Sequence, residues 1–230
     1  MIKSIVGFGD SWIYGNEIGS VEPGDQYRLT NCILGQIGLS LKRPTVNLGR
    51  PGSSLTSMLW EFARWVKTVD TPSDHLIIAG LTWDSRESWW PKDQDQAVQS
   101  EHKILYVESL ENITSDVPTS WTDFVRHFIL HSNHDDLCAM RYWQVVNFLD
   151  SYSHRHGIPL LQVNIARPTR TVYVDSLYDA DSCLTDRLLQ HEQIVGTNLH
   201  APGRHPNESG ASLLSELIVS EIHRRKLLND

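Results

Sequence analysis

The run Leu76-Ile77-Ile78-Ala79 leaves no side chain that prefers water, and it most narrows what this chain can become. Four consecutive apolar residues inside His75 to Leu81 read as a strand covered on both faces, the usual state of a parallel sheet. Comparable short runs recur. Ser4 to Gly7 reads as a first strand, Pro44 to Leu48 as a second and Ile158 to Val163 as a fourth. Between them the apolar residues fall at helical spacing. Leu29, Cys32, Ile33, Ile37 and Leu41 mark a helix within Gln26 to Lys42. Leu55, Leu59, Phe62 and Val66 mark another, capped by Ser53 or Ser54 and running to Thr68. Residues 84–120 are polar and irregular, with a helix expected near Val98 to Leu110. Ser120 to His156 reads as mostly helical, with a break near Asn133 to Asp136. Residues 166–203 show no clear period. Pro206 to Leu228 reads as a final helix with Pro206 in its first turn. Strands alternating with helices predict an α/β fold with a central parallel sheet between two helical layers. No repeat or linker divides the chain, so residues 1–230 are expected to form a single domain.

A sheet of this kind binds ligands at the carboxyl ends of its strands. The first strand ends in Gly7-Phe8-Gly9-Asp10-Ser11-Trp12, a tight turn that presents a serine where a helix begins. Helix-terminal amides beside Ser11 could stabilise an oxyanion. A serine hydroxyl is a weak nucleophile, so it needs a base and an oxyanion site to act as one. Gly49 and Thr82 follow the second and third strands, so three strand ends converge on one crevice. The Gly7-x-Gly9 pair does not make a dinucleotide fingerprint, because Trp12 occupies the place of its third glycine.

Composition removes other classes. A formal net charge of −8 argues against a sequence-independent nucleic-acid binder. No apolar run reaches membrane-spanning length, and Met1-Ile2-Lys3 leads straight into a strand, so no signal peptide is expected. Cys32, Cys138 and Cys183 read as reduced thiols of a cytoplasmic protein. His131, His134, Asp135 and Asp136 lack a compact metal-binding spacing and read as a solvated helix end, so neither metal nor cofactor is expected.

Four blocks in order, Gly9-Asp10-Ser11, Asn47 to Gly52, Gly80-Leu81-Thr82 and His205-Pro206-Asn207-Glu208-Ser209-Gly210, resemble those of the SGNH (GDSL-type) hydrolases. The resemblance spans essentially the whole chain and implies a three-layer flavodoxin-like fold. That family contains esterases, lipases, thioesterases and carbohydrate deacetylases. The resemblance implies Ser11 as nucleophile, His205 as general base, and the Ser11 and Gly49 amides as oxyanion donors. The sequence departs from the family twice. Thr82 stands where the family has an asparagine as third oxyanion donor, and Pro202 stands where an aspartate orients the histidine. Either another carboxylate, with Asp181, Asp186 and Glu192 as upstream candidates, or a backbone carbonyl takes the orienting part, or catalysis is weak. Gly80-Leu81-Thr82-x-x-x-Arg86 followed by Trp89-Trp90 also resembles an SGNH-like branch found in phage and marine microbial genomes.

Each of these residues also has a plainer reading. Ser11 can cap a helix, Asp10 can bond within its turn, and Gly49 and Gly52 can serve a turn around Pro51. His200 rivals His205 as the base. Arg86 can pair with a neighbouring acid or grip an anionic substrate group. Trp83, Trp89 and Trp90 can pack in the core or form a wall for a sugar or acyl chain. The expectation is a serine esterase acting on a small-molecule or glycan ester, for example an O-acetylated carbohydrate. The alternatives are an inactive binding or virion-associated protein and an acyltransferase. Nothing in the letters fixes the oligomeric state.

Overall fold

The computed structural model describes residues 1–19, 24–89, 103–105 and 135–228. Five strands form one all-parallel sheet: β1 (Ser4–Phe8), β2 (Thr45–Asn47), β3 (His75–Leu81), β6 (Leu160–Asn164) and β7 (Leu177–Tyr178). Their spatial order is β2-β1-β3-β6-β7. Two further strands, β4 (Glu87–Trp89) and β5 (Lys103–Leu105), pair antiparallel outside that sheet. β1 and β3 lie side by side in register from Ser4 with His75 to Phe8 with Ala79. Because every strand runs the same way, the turns after β1, β2 and β3 open on the same edge of the sheet.

Alternation along the central strands splits the core in two, as a period-2 pattern dictates. Ile5, Leu76, Ile78, Leu161 and Val163 face α3 (Ile33–Leu41) and the C-terminal helix α7 (Glu208–Arg224). The intervening Val6, Phe8, Ile77, Ala79, Leu81 and Leu160 face α4 (Leu55–Thr68) and α5 (Asp135–His156). Two helical layers therefore enclose the sheet, which is the three-layer α/β fold expected.

Several expected boundaries move for local reasons. The helix expected across Gln26 to Lys42 is two: α2 (Gln26–Asn31) and α3. Cys32 separates them with an extended backbone, and its thiol caps α3 by accepting the Gly35 N–H at 3.4 Å. Ser54, not Ser53, caps α4, in a reciprocal box with Ser57. The final helix starts at Glu208. Asn207 is its cap, accepting the Gly210 N–H at 2.9 Å, so Pro206 lies before the helix rather than in its first turn. The unassigned 166–203 region contains β7 and α6 (Leu184–Val195). Of the helix expected over Val98 to Leu110, residues 103–105 are strand and the rest lie outside the described residues; of the break expected near 133–136, residues 133 and 134 lie outside them, and Asp135 and Asp136 begin α5. Among the described residues no helix is long and apolar enough to cross a membrane. The three cysteines are buried and none forms a disulfide.

One ion-pair cluster ties α7 to the sheet edge. Glu221 accepts two bonds from Arg224, at 2.6 and 2.7 Å, and another from Arg225. Arg225 also donates to the Asp175 carbonyl, and to the Leu177 carbonyl on β7 at 2.8 Å. The Arg224 bonds, reinforced by Arg225, outweigh burial and pull the Glu221 carboxyl down to about 2. A carboxyl lowered in the folded state stabilises fully above its unfolded value, and that gain disappears as pH falls through the folded one. With Arg224 largely exposed, Glu221→Gln is expected to cost about 1–2 kcal/mol at neutral pH. Urea unfolding should show this gap closing as pH drops from 4.5 toward 2.

Candidate active site

The turn after β1 is shaped by a carboxylate. Asp10 caps the short helix α1 (Ser11–Tyr14), its Oδ1 accepting the Trp12 N–H at 3.0 Å. Ser11 is thus the first helical residue, where an amide has no carbonyl one turn earlier in the helix to bond. Trp12 and Ile13 bury the back of the turn. Gly9 allows the approach: a Cβ there would lie 2.7 Å from Ile13 and 3.0 Å from the Gly80 carbonyl. α1 ends after one turn at Gly15, which is left-handed at φ 85°. Glu17 follows, itself left-handed at φ 65°, and Ile18 returns to the core. A left-handed glutamate costs about 1 kcal/mol and persists only where its surroundings hold it.

His205 approaches from the other end of the chain, on a narrow loop before α7. His200 bridges Pro206, the Ala201 N–H donates to the His205 carbonyl at 2.8 Å, and the Asn207 N–H donates to the Leu199 carbonyl at 2.9 Å. Arg204, beside His205, is also left-handed, at φ 66°. Across this junction His205 Nε2 lies 2.9 Å from Ser11 Oγ, and His205 Nδ1 lies 2.7 Å from Glu17 Oε2. Glu17 Oε1 accepts the Gly203 N–H at 2.8 Å, so the carboxylate holds both the imidazole and the loop tip. Burial alone would raise the Glu17 carboxyl. The bonds from the His205 ring and from the Gly203 and His205 amides outweigh it and hold the group below the usual carboxylate range. Serine, imidazole and carboxylate form one continuous hydrogen-bonded line, the geometry in which a base can take a hydroxyl proton.

Glu17 is the residue that sequence reasoning missed. Asp181 bonds Tyr173, Asp186 pairs with Arg167, and Glu192 holds the other histidine. None of the three is a partner of His205. Glu192 Oε1 accepts from His200 Nδ1 at 2.7 Å and from the Leu199 and His200 amides at 2.6 and 3.1 Å. His200 therefore lines the cavity beside Ser11 but has its own carboxylate, and its ring meets Trp12 edge-on. No motif distinguishes Glu17. Its role comes from the left-handed turn that sends its carboxylate toward the loop.

The expected oxyanion donors are placed less simply. The Gly49 N–H donates to Asn47 Oδ1 at 3.0 Å, and Gly49 packs so closely on α1 that a Cβ would lie 2.7 Å from the Tyr14 nitrogen. Thr82 Oγ1 donates to Asp10 Oδ2 at 2.7 Å and accepts from Arg86 Nη1 at 2.8 Å. Arg86 Nη1 also meets Asp10 Oδ2 at 2.9 Å, so the neighbouring-acid reading of Arg86 describes its contact here. Asp10 is fully buried and Arg86 only 5% exposed. Trp83 stacks on the guanidinium at 4.5 Å.

Ser11, His205, Arg86 and Trp83 meet at a cavity of about 540 Å³ whose wall also includes Leu189 and Arg204. The Trp89 backbone belongs to β4, while Trp90, His131 and His134 lie outside the described residues. Among the described residues no group of three or more histidine, cysteine or acidic side chains could hold a metal.

No protein-family model matches this sequence, and no curated protein matches it. Solved structures do. A lipolytic protein of the G-D-S-L family from Veillonella parvula DSM 2008 aligns over 96% of this chain and 98% of its own, at 14% identity and a TM-score of 0.45. A lipase/acylhydrolase from Enterococcus faecalis aligns over 97% of both chains, at 17% identity and 0.38. A family two carbohydrate esterase from Clostridium thermocellum, solved with cellohexaose, aligns over 97% of this chain and 64% of its own, at 13% and 0.39. It is the strand order, rather than these overlaps, that defines the fold.

Two substitutions separate the carboxylates. Glu17→Gln is expected to lower kcat by ~10²–10⁴, because the imidazole loses its orienting charge and tautomer control. Asp186→Asn is expected to leave kcat near wild type. A Gly203→Ala Cβ would lie 2.5 Å from the Glu17 carboxylate, so steady-state kinetics on that variant should follow Glu17→Gln, with little change in melting temperature.

Proposed function

We propose that this protein is a serine esterase in which Ser11 is the nucleophile, His205 its general base and Glu17 the acid that orients the base. The observation that carries this reading is the unbroken line from Glu17 Oε2 through His205 to Ser11 Oγ, at 2.7 and 2.9 Å. In the first half-reaction Ser11 Oγ bonds to the acyl carbon while its proton passes to His205 Nε2. The carbonyl electron pair moves onto oxygen, where the Ser11 amide can receive it. Collapse of that intermediate breaks the bond to the alcohol, which leaves with the proton from His205. Water then repeats the sequence on the acyl-serine, releasing the acid and restoring the hydroxyl.

The substrate is a small ester. Trp83 and Leu189 offer apolar cover along the cavity, while His200 and Arg204 add polar groups. An O-acetylated carbohydrate fits this mixture, and the likeness to a carbohydrate esterase and to lipolytic proteins points the same way. Protein, water and substrate suffice for this chemistry. Ser11→Ala is expected to abolish hydrolysis of a short-chain nitrophenyl ester with unchanged unfolding, and a fluorophosphonate probe should label wild type but not the variant. Equal turnover by both proteins would refute the assignment.

A further inference from the structure

The oxyanion site presents an electrostatic problem. Ser11 is preceded by a carboxylate with no exposed surface, and the reaction places a second negative charge within a few bonds of it. Like charges in a water-poor site oppose each other strongly. The two other expected donors are already engaged, Gly49 N–H with Asn47 and the single Thr82 hydroxyl proton with Asp10. Threonine is also shorter than the asparagine of related blocks, and its oxygen accepts rather than donates toward Arg86.

The group immediately beyond Thr82 Oγ1 is the Arg86 guanidinium, 2.8 Å away and in the wall of the cavity that contains Ser11. We propose that Arg86 is a catalytic residue, donating a charge-assisted hydrogen bond to the oxyanion in the place an asparagine amide would fill. This rests on Ser11 being the nucleophile. The planar fork suits two tasks together: one nitrogen neutralises Asp10 while another addresses a second anionic acceptor. Its position is prepared before the reaction. Asp10, Thr82 and the Ser53 carbonyl meet Nη1, and Trp83 covers the guanidinium face. A donor fixed in advance and shielded from water is what stabilises developing charge most. Thr82 becomes a positioning residue in this arrangement, since it joins Arg86 to Asp10.

Nitrophenyl ester kinetics on wild type, Ser11→Ala, Arg86→Ala, Arg86→Lys and Thr82→Val test this, with melting curves for each. Arg86→Ala is expected to lose ~10²–10³ in kcat, with KM changed little, the cost of removing one oxyanion donor. Guanidinium or ethylguanidinium ions should restore part of that loss in Arg86→Ala and nothing in wild type. Arg86→Lys keeps a cation against Asp10, so it should fold, yet lose at least ~10-fold in kcat because a point charge cannot serve both acceptors. Thr82→Val should lose less than either. Two results overturn the proposal. One is an Arg86→Lys protein that folds and turns over at the wild-type rate. The other is a Thr82→Val loss as large as that of Arg86→Ala, with no response to guanidinium ions. Activity that is absent from wild type, or equal in Ser11→Ala, removes the esterase reading itself and is distinct from both.

Discussion

A buried negative charge beside the serine governs the architecture of this crevice. Asp10 shapes the turn by capping α1 through one oxygen, and gathers Thr82 and Arg86 through the other. Removing a carboxylate from water costs several kcal/mol unless bonds and an opposite charge replace the solvent. Here the replacements come from two strand ends, one following β1 and one following β3. The ion pair therefore couples β1 and β3, which lie in register from Ser4 with His75 to Phe8 with Ala79. Local helix capping, sheet geometry and the electrostatics of the crevice meet in one side chain.

The second organising constraint is the anchoring of the loop that carries His205. Two glutamates hold it from opposite ends. Glu192 takes the Leu199 and His200 amides at its base, and Glu17 takes the Gly203 amide and the His205 ring at its tip. Each carboxyl lies below the usual range. For Glu192 the Leu199 amide contributes most, and its other bonds outweigh burial; for Glu17 several bonds together outweigh burial. Glu192 reaches the loop from α6 and Glu17 from the turn after α1. An irregular segment is thus held by charge-assisted bonds to backbone amides as well as by the burial of Leu199 in the core.

How much of this was legible follows from where each signal resides. The strands were readable because continuous apolar runs have few other uses, and Ser11 and His205 because their flanking residues recur in order. β7 was not, since two residues carry no period. The division at Cys32 was hidden because a cysteine at an apolar position looks like one more residue of a helix face. The part played by Glu17 was invisible for a different reason. It depends on a left-handed backbone at a non-glycine residue, and on a loop 186 residues further along the chain. Thr82 and Arg86 stood out as departures, but the direction in which the threonine proton points is a property of three dimensions.

The line through Ser11 joins side chains 188 and 194 residues apart in the sequence. Ser11 opens α1 and Glu17 follows it, while the His205 imidazole comes from the segment leading into α7. The line is therefore completed only when the loop before α7 docks against the turn after β1, and no local segment of the chain can supply it alone.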